Sequence, residues 1–205
     1  YQSECSQKLN NFFIPESLYG CHKIIFNGTH LAPITRDFKS CDFMFFELVC
    51  TANWRPVKRL PLIVKTFEII LKHIPNVRLN VVGNIDIVSM EFLAKNVSKT
   101  VFNNIKFWGN ISNSELNHFY QTMHVGVFRG FYDPCPNAGV EMIAAGLPVV
   151  VNSGNGIAEI ISDHGEFIVN ENISLRFSPY HSFDELDWEL CGQFSEKIIE
   201  VLEDL

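Results

Sequence analysis

The sequence has few basic residues for its length, and this limits the partners it can have. Its 205 residues hold 16 Lys and Arg against 23 Asp and Glu, which gives a formal net charge of -7 at pH 7. Proteins that bind nucleic acid or anionic membranes through a basic surface need the opposite balance. We therefore expect no nucleic-acid binding, and any local cluster of basic residues deserves inspection.

Patterns typical of zinc sites, secretion or membrane spans are also missing. The cysteines form no C-x-x-C pair and no Cys/His set with zinc spacing; they are Cys5, Cys21, Cys41, Cys50, Cys135 and Cys191. They indicate reduced thiols in a cytoplasmic compartment. The N-terminus is polar, and the longest apolar runs are too short to cross a bilayer.

What the sequence does contain is a regular alternation of short apolar strands with helices. The chain is 47% hydrophobic and 19% charged, as in globular α/β domains. The predicted strands are 23–28, 43–50, 77–83, 105–109, 124–128, 148–151 and 166–169. The predicted helices are 3–13, 60–74, 89–98, 112–123 (with Ser112 as N-cap of a capping box), 136–145, 156–162 and 182–204. This order predicts a Rossmann-like parallel sheet with helices on both faces.

The loop after the 43–50 strand carries the clearest cluster of basic residues. In "TANWRPVKRL" these are Arg55, Lys58 and Arg59, at the start of a predicted helix. Cations oppose the helix dipole there unless an anion such as phosphate lies between them and the free backbone N–H groups. A solvated basic surface is the alternative. No G-x-G-x-x-G or Walker pattern is present, so neither a dinucleotide site nor a P-loop is predicted.

Two loops further along the chain hold candidate acidic residues and glycines. "DPCPNAGVEMIAAGLPVVV" places Asp133 before a helix that begins near Asn137, and Glu141 among apolar residues of that helix. A buried carboxylate needs donors, which a ribose diol or a structural salt bridge could supply. "NSGNGIAEII" follows the next strand, and its glycines permit close backbone approach to a ligand, although a plain turn is the alternative. Its candidate donor-binding residues are Gly154, Asn155, Gly156 and Glu159, and Asn137 at the start of the preceding helix is a further candidate.

Taken together, these stretches resemble the C-terminal, donor-binding domain of GT-B glycosyltransferases, in the large retaining family that includes sucrose synthases. The E-x7-E motif of that family corresponds to Asp133 and Glu141, followed by "MIAAGLPVVV". Its basic loop, G-R-L-x-x-x-K-G, corresponds to "ANWRPVKR", and its G-x5-E-L-x3-Y stretch to "GNISNSELNHFY". The resemblance covers essentially the whole chain.

The resemblance implies a role for each matching residue. Lys58 would neutralise the donor diphosphate, Asp133 would face the hydroxyls of the donor sugar, and Glu141 would bind the ribose. Asn53 stands where the family has arginine, and we hypothesise that Arg55 or Arg59 supplies that charge. Asp133 is one methylene shorter than the glutamate of the motif. No cofactor and no protein-bound metal are expected.

The resemblance also implies a domain organisation and an activity. Residues 1–28 would be a connector from an N-terminal acceptor-binding domain, and residues 29–205 would form the domain that binds a nucleoside diphosphate sugar. The expected reaction transfers a hexose to an acceptor with retention of configuration. We expect the isolated chain to be inactive or weakly active, and any membrane association to come from outside this sequence. A sugar epimerase of the same fold and a non-catalytic nucleotide-binding or interaction module are the alternatives.

Overall fold

The structure, a computed structural model, describes residues 2–4, 6–7, 23–29, 44–130, 133–164, 167–170 and 189–205. The strands are β1 (Phe46–Thr51), β2 (Val77–Val82), β3 (Ile105–Gly109), β4 (Val125–Phe128), β5 (Val149–Asn152) and β6 (Ile168–Val169). The α-helices are α1 (Leu60–His73), α2 (Ile87–Asn96), α3 (Lys99–Asn103), α4 (Asn113–Gln121), α5 (Asn137–Ala144), α6 (Gly156–Ile160) and α7 (Glu189–Glu203). A 3-10 helix covers Pro56–Lys58.

The strands form one sheet in the order β3-β2-β1-β4-β5-β6, and every pairing is parallel. Leu48 of β1 pairs with Leu79 of β2 on one side and with Val125 of β4 on the other. From β1 the chain adds β2 and β3 on one side of the sheet, and it then adds β4, β5 and β6 on the other side. In this topology the carboxyl ends of β1 and β4 flank a crevice where ligands bind.

Apolar side chains cover both faces of the sheet, because strands buried on both sides carry continuous apolar runs. On one face Leu48, Leu79 and Val127 pack with Ile63 and Phe67 of α1 and with α7. The other face packs against α4, α5 and α6; its core includes Val49, Leu116, Tyr120, Met142, Val151 and Ile157. The predicted α/β fold with helices on both faces is confirmed.

Helix α1 follows directly from its sequence pattern. Leu60, Ile63, Val64, Phe67 and Ile70 recur at the spacing of one helix face, and all are 2% exposed or less. Pro61 lies in the first turn, where it has no hydrogen bond to lose, and Lys72 and His73 end the helix. This buried face fixes the loop before α1 against the sheet.

The structure corrects several predicted boundaries. Residues 23–28 are not a strand, and they are not part of the described sheet. The predicted helix 89–98 lies slightly earlier in the chain, as α2, and α3 follows it from the cap Ser98. Ser112 does cap α4, but its hydroxyl contacts the Glu115 carboxylate instead of a backbone N–H. The predicted helix 3–13 lies mostly outside the described residues, as do positions 182–188 of the last helix.

Candidate functional site

The loop after β1 is held in place by Trp54. Its backbone N–H donates to the Asn84 carbonyl at 2.8 Å, and its indole Nε1 donates to the Val82 carbonyl at 2.9 Å. The side chain is 3% exposed. These bonds extend β1 past its last ladder residue and tie the loop to the end of β2. These hydrogen bonds therefore fix the backbone just before the basic residues Arg55, Lys58 and Arg59.

Arg59 links this loop to α1 in a strained conformation. Its φ is 55°, in the left-handed region that non-glycine residues seldom adopt, and it is the N-cap of the helix. Its carbonyl accepts the backbone N–H groups of Leu62 and Ile63. In the basic-loop pattern G-R-L-x-x-x-K-G this position is the final glycine. The left-handed turn is thus retained here with an arginine, whose side chain is largely buried.

A pocket of about 220 Å³ opens between the β1 and β4 loops, at the predicted crevice. Its wall brings together five residues that the sequence marks as candidates: Asn53, Arg55, Lys58, Asp133 and Asn137. Its floor is formed by the ends of the two strands, including Thr51, Val127 and Phe128. Residues that are up to 84 positions apart in sequence thus share one cavity because β1 and β4 are neighbours in the sheet.

Lys58 and Asp133 form an ion pair across this pocket. The Lys58 ammonium contacts Asp133 Oδ2, and the two side chains are 25% and 12% exposed. Gly130 lies beside both, and a Cβ there would come within 3.8 Å of each side chain. The cation and the anion predicted to act on a donor therefore neutralise each other in the absence of ligand.

Helix α5 begins at the pocket, and its first turn has no side-chain cap. Pro136 is the N-cap, and no side chain bonds the free N–H groups. Asn137, the first residue of the helix, lines the pocket and is exposed. Such a helix start favours negative charge, as a phosphate would bring.

Glu141 lies one turn further along α5, outside the wall of the pocket. Burial raises the pKa of the Tyr120 phenol, and the negative charge of Glu141 raises it further, while the nearby Thr51 side chain lowers it. Glu141 is thus close to Tyr120 of α4 and to the carboxyl end of β1. It is half-buried. Of the two carboxylates of the motif, Asp133 therefore lines the pocket and Glu141 does not.

The glycine turn after β5 is packed against the turn that carries Asp133. A Cβ on Gly156 would lie 1.7 Å from the Pro134 carbonyl oxygen, so only glycine fits. The Gly156 N–H donates to the Asp133 carbonyl at 2.8 Å. The sequence suggested that this glycine gives room to a ligand; the contact observed is with the protein's own backbone. A ligand role for Gly154, which is half-buried, stays a prediction.

Asn155 and Glu159 make local contacts in the same region. The Asn155 side chain caps α6 by accepting the Ile157 N–H at 3.0 Å. Glu159 Oε2 accepts the backbone N–H of Glu4 at 2.7 Å. The start of the chain is thereby attached next to the candidate site, and the donor-binding roles of both residues remain predictions.

Sequence reasoning missed one buried charge, Arg129, which directly follows β4. Its side chain is fully buried, and Nη1 lies 3.2 Å from both Thr66 Oγ1 and Cys191 Sγ. The guanidinium also lies 4.3 Å from the ring centre of Phe194. Arg129 therefore fastens β4 to α1 and α7, and it also lines the pocket. A basic residue ending an apolar strand, in "HVGVFR", was the signal available in the sequence.

Two general features of the described residues bear on the site. No group of three or more His, Cys, Asp or Glu side chains within them is arranged to hold a metal ion. None of their helices is both long enough and apolar enough to span a membrane.

A six-stranded parallel sheet with helices on both faces is a Rossmann-like architecture. The family model "Glycosyl transferases group 1" matches residues 46–177, which is more than half of the chain. The chain belongs to this family of glycosyltransferases. The search of curated protein sequences gives no match.

Solved structures of GT-B glycosyltransferases share the fold. The pneumococcal O-GlcNAc transferase GtfA, in complex with UDP and GlcNAc, has a TM-score of 0.63 and 16% identity; the match covers 97% of this chain and 37% of that one. TarM of S. aureus gives 0.62 and 16%, over 97% and 41%. Sucrose-phosphate synthase of Thermosynechococcus elongatus gives 0.62 and 16%, over 100% and 53%. The chain thus spans about a third to a half of these proteins.

Proposed function

We propose that the chain is the donor-binding half of a hexosyltransferase that uses a nucleoside diphosphate sugar and retains the anomeric configuration. The observation that carries the proposal is the Lys58–Asp133 ion pair in the pocket between β1 and β4. A site built for an anion and a polyhydroxyl group needs a cation and an acceptor side by side. The pair supplies both, at the edge of the sheet where nucleotides bind in such folds.

Donor binding would exchange partners at this pair. Lys58 would leave Asp133 for the diphosphate, and the Asp133 carboxylate would accept hydrogen bonds from the sugar hydroxyls. The free N–H groups at the start of α5 and the nearby Arg55 would add to the positive field. Negative charge grows on the leaving diphosphate during transfer, and fixed cations and amides stabilise it. Asp133 is neutralised by Lys58 only until the donor arrives.

Glu141 would bind the nucleoside. It lies close to Tyr120 and just outside the wall of the pocket, one turn along α5 from Asn137. A donor that extends across this helix start would have its sugar near Asp133, its diphosphate at the first turn and its ribose near Glu141. UDP is the first nucleotide to test, since GtfA and TarM are described in complex with it.

The rest of the enzyme would be an N-terminal domain that holds the acceptor. Residues 1–28 would connect the two domains, with residues 29–205 as the donor domain, and the described parts of that connector touch the candidate site at Asn137 and Glu159. We place the enzyme in the cytoplasm, where nucleoside diphosphate sugars would be its donors. No metal is assigned to the chemistry of this domain.

Calorimetry on the intact protein with UDP, GDP, ADP and their sugars tests the proposal. We expect one nucleotide series to bind, and Glu141→Ala to weaken that binding at least tenfold, because the ribose diol loses its charged acceptor. Glu91→Ala, which removes an exposed acid of α2, is the matched control and should bind as the wild type does. A protein that binds none of the nucleotides would be an interaction module instead.

The stereochemistry needs its own measurement. Proton NMR of the first product formed from an α-linked donor should show an α-linked glycoside, as retention requires. A β-linked first product would contradict the proposed retaining reaction while leaving donor binding intact. Interconversion of the free sugar donor with its epimer, without an acceptor, would indicate the epimerase alternative.

A further inference from the structure

Asn27 lies far from the pocket in sequence but touches its wall. Its side-chain Nδ2 donates to the Cys135 carbonyl at 3.0 Å and to Asn137 Oδ1 at 2.7 Å. Its own Oδ1 accepts from Gln2 Nε2 at 3.0 Å. Both amide hydrogens of Asn27 are therefore used to hold the turn before α5 and the first side chain of that helix.

We propose that Asn27 is a positioning residue of the donor site and that it acts by fixing the orientation of the Asn137 amide. The inference rests on the proposed function. Asn137 Oδ1 is occupied by the Asn27 donor, so the Asn137 amide turns its two N–H groups away from Asn27. Because Asn137 is exposed and lines the pocket, these donors are available to an oxygen-rich ligand. Phosphate and sugar oxygens are acceptors that this orientation suits, and the flipped amide would present an acceptor to them instead.

The same contacts make the donor site sensitive to the start of the chain. Gln2 bonds Asn27, and the backbone of Glu4 bonds Glu159 on α6. Two separate pieces of the N-terminal segment are thus attached to the two helices that border the site. A displacement of this segment would release the Asn137 amide and weaken donor binding through that one residue of the pocket wall.

The alternative is a purely structural role, in which Asn27 only attaches its own segment to the domain. In that case its loss would lower the stability of the fold, and its effect on ligand binding would not depend on Asn137. A double-mutant cycle separates these cases because it reports whether two side chains act through each other.

The experiment measures UDP, GDP and ADP affinity of the intact protein by calorimetry. The variants are Asn27→Asp, Asn137→Ala and the double variant, with Asn27→Ala in place of Asn27→Asp if the latter fails to fold. Asn27→Asp keeps the shape but loses both donors and turns a carboxylate towards two oxygen acceptors. We expect affinity for the preferred nucleotide to fall about tenfold in each single variant and no further than about twofold beyond Asn137→Ala in the double variant.

Asn104→Asp serves as the matched control. Its side chain bonds the Thr100 carbonyl at 3.0 Å at the end of α3, away from the pocket, and the substitution makes the same charge change. Its nucleotide affinity should equal that of the wild type. Unchanged affinity in Asn27→Asp, or losses that add in the double variant, would overturn the inference while leaving the proposed function standing. A wild-type protein that binds no nucleotide would overturn both.

Discussion

Two lysine–carboxylate ion pairs on neighbouring parts of the chain differ in their surroundings. Lys65 and Glu68 lie 2.8 Å apart on the surface of α1, three residues from each other, with side chains 41% and 27% exposed. Lys58 and Asp133 join two loops 75 residues apart, with side chains 25% and 12% exposed, in the wall of a pocket. The first pair stabilises a helix locally. The second holds two charges in the wall of a pocket, where under the proposed function a donor would replace each partner.

The largest effect should come from removing the pocket cation. Lys58→Ala removes the cation proposed to neutralise the developing charge of the diphosphate, and we expect kcat for sugar transfer to fall by about 100-fold or more. Lys65→Ala, on the surface of α1, is the control and should leave kcat within about twofold. Equal and small effects in both variants, measured in the intact protein, would show that the two pairs do not differ in function.

Removing the charge of the pocket anion should have a smaller effect, and it should strengthen the binding of the free nucleotide. Asp133→Asn frees Lys58 from its ion pair, so a nucleoside diphosphate without sugar should bind about threefold to tenfold tighter than to the wild type. The same variant should transfer sugar more slowly, because its amide is a weaker acceptor for the sugar hydroxyls. Calorimetry and initial rates on the same preparation check the two directions, and weaker binding of the free nucleotide would contradict the partner exchange.

The smallest effect belongs to the surface pair. The Lys65 hydrogen bond holds the pKa of Glu68 below its usual value, with smaller contributions from the charges of Lys65 and Lys72. A depressed pKa in the folded state stabilises the fold at neutral pH, and this contribution is lost as pH falls through that pKa. Glu68→Gln should therefore lower the unfolding free energy at pH 7 by about 0.5 kcal/mol or less, and the difference should vanish in acid. Denaturant titrations at several pH values measure it; a difference that grows in acid would be inconsistent with this account.

The pattern of strands and helices was predictable because local periodicity and burial agree in most of the chain. Where they disagree, backbone pairing with a neighbouring strand decides whether a segment becomes a strand. Residues 23–28 are apolar enough for a strand, yet they are not part of the described sheet, and no local pattern records that. α3 was missed because five residues give too little periodicity, although its cap Ser98 is visible in the sequence.

The candidate site was predictable to the extent that topology follows from alternation. Once β1 and β4 are neighbours, Lys58 and Asp133 must lie at one crevice. The direct pairing of their charges depends on loop geometry that spacing does not contain. The contact of Asn27 with Asn137 spans 110 residues and involves no motif, so only the folded chain brings it to light.

The close approach of Gly156 to Pro134 has a mechanical consequence. With the Gly156 N–H bonded to the Asp133 carbonyl and no space for even a methyl group between the backbones, the turns after β4 and β5 are packed directly against each other. A closing motion of the domain would carry the carboxylate of Asp133 and the glycine turn together, by the same distance. The flexible partner in the pocket is then the lysine, whose long side chain can follow a ligand while the acid stays where the backbone holds it.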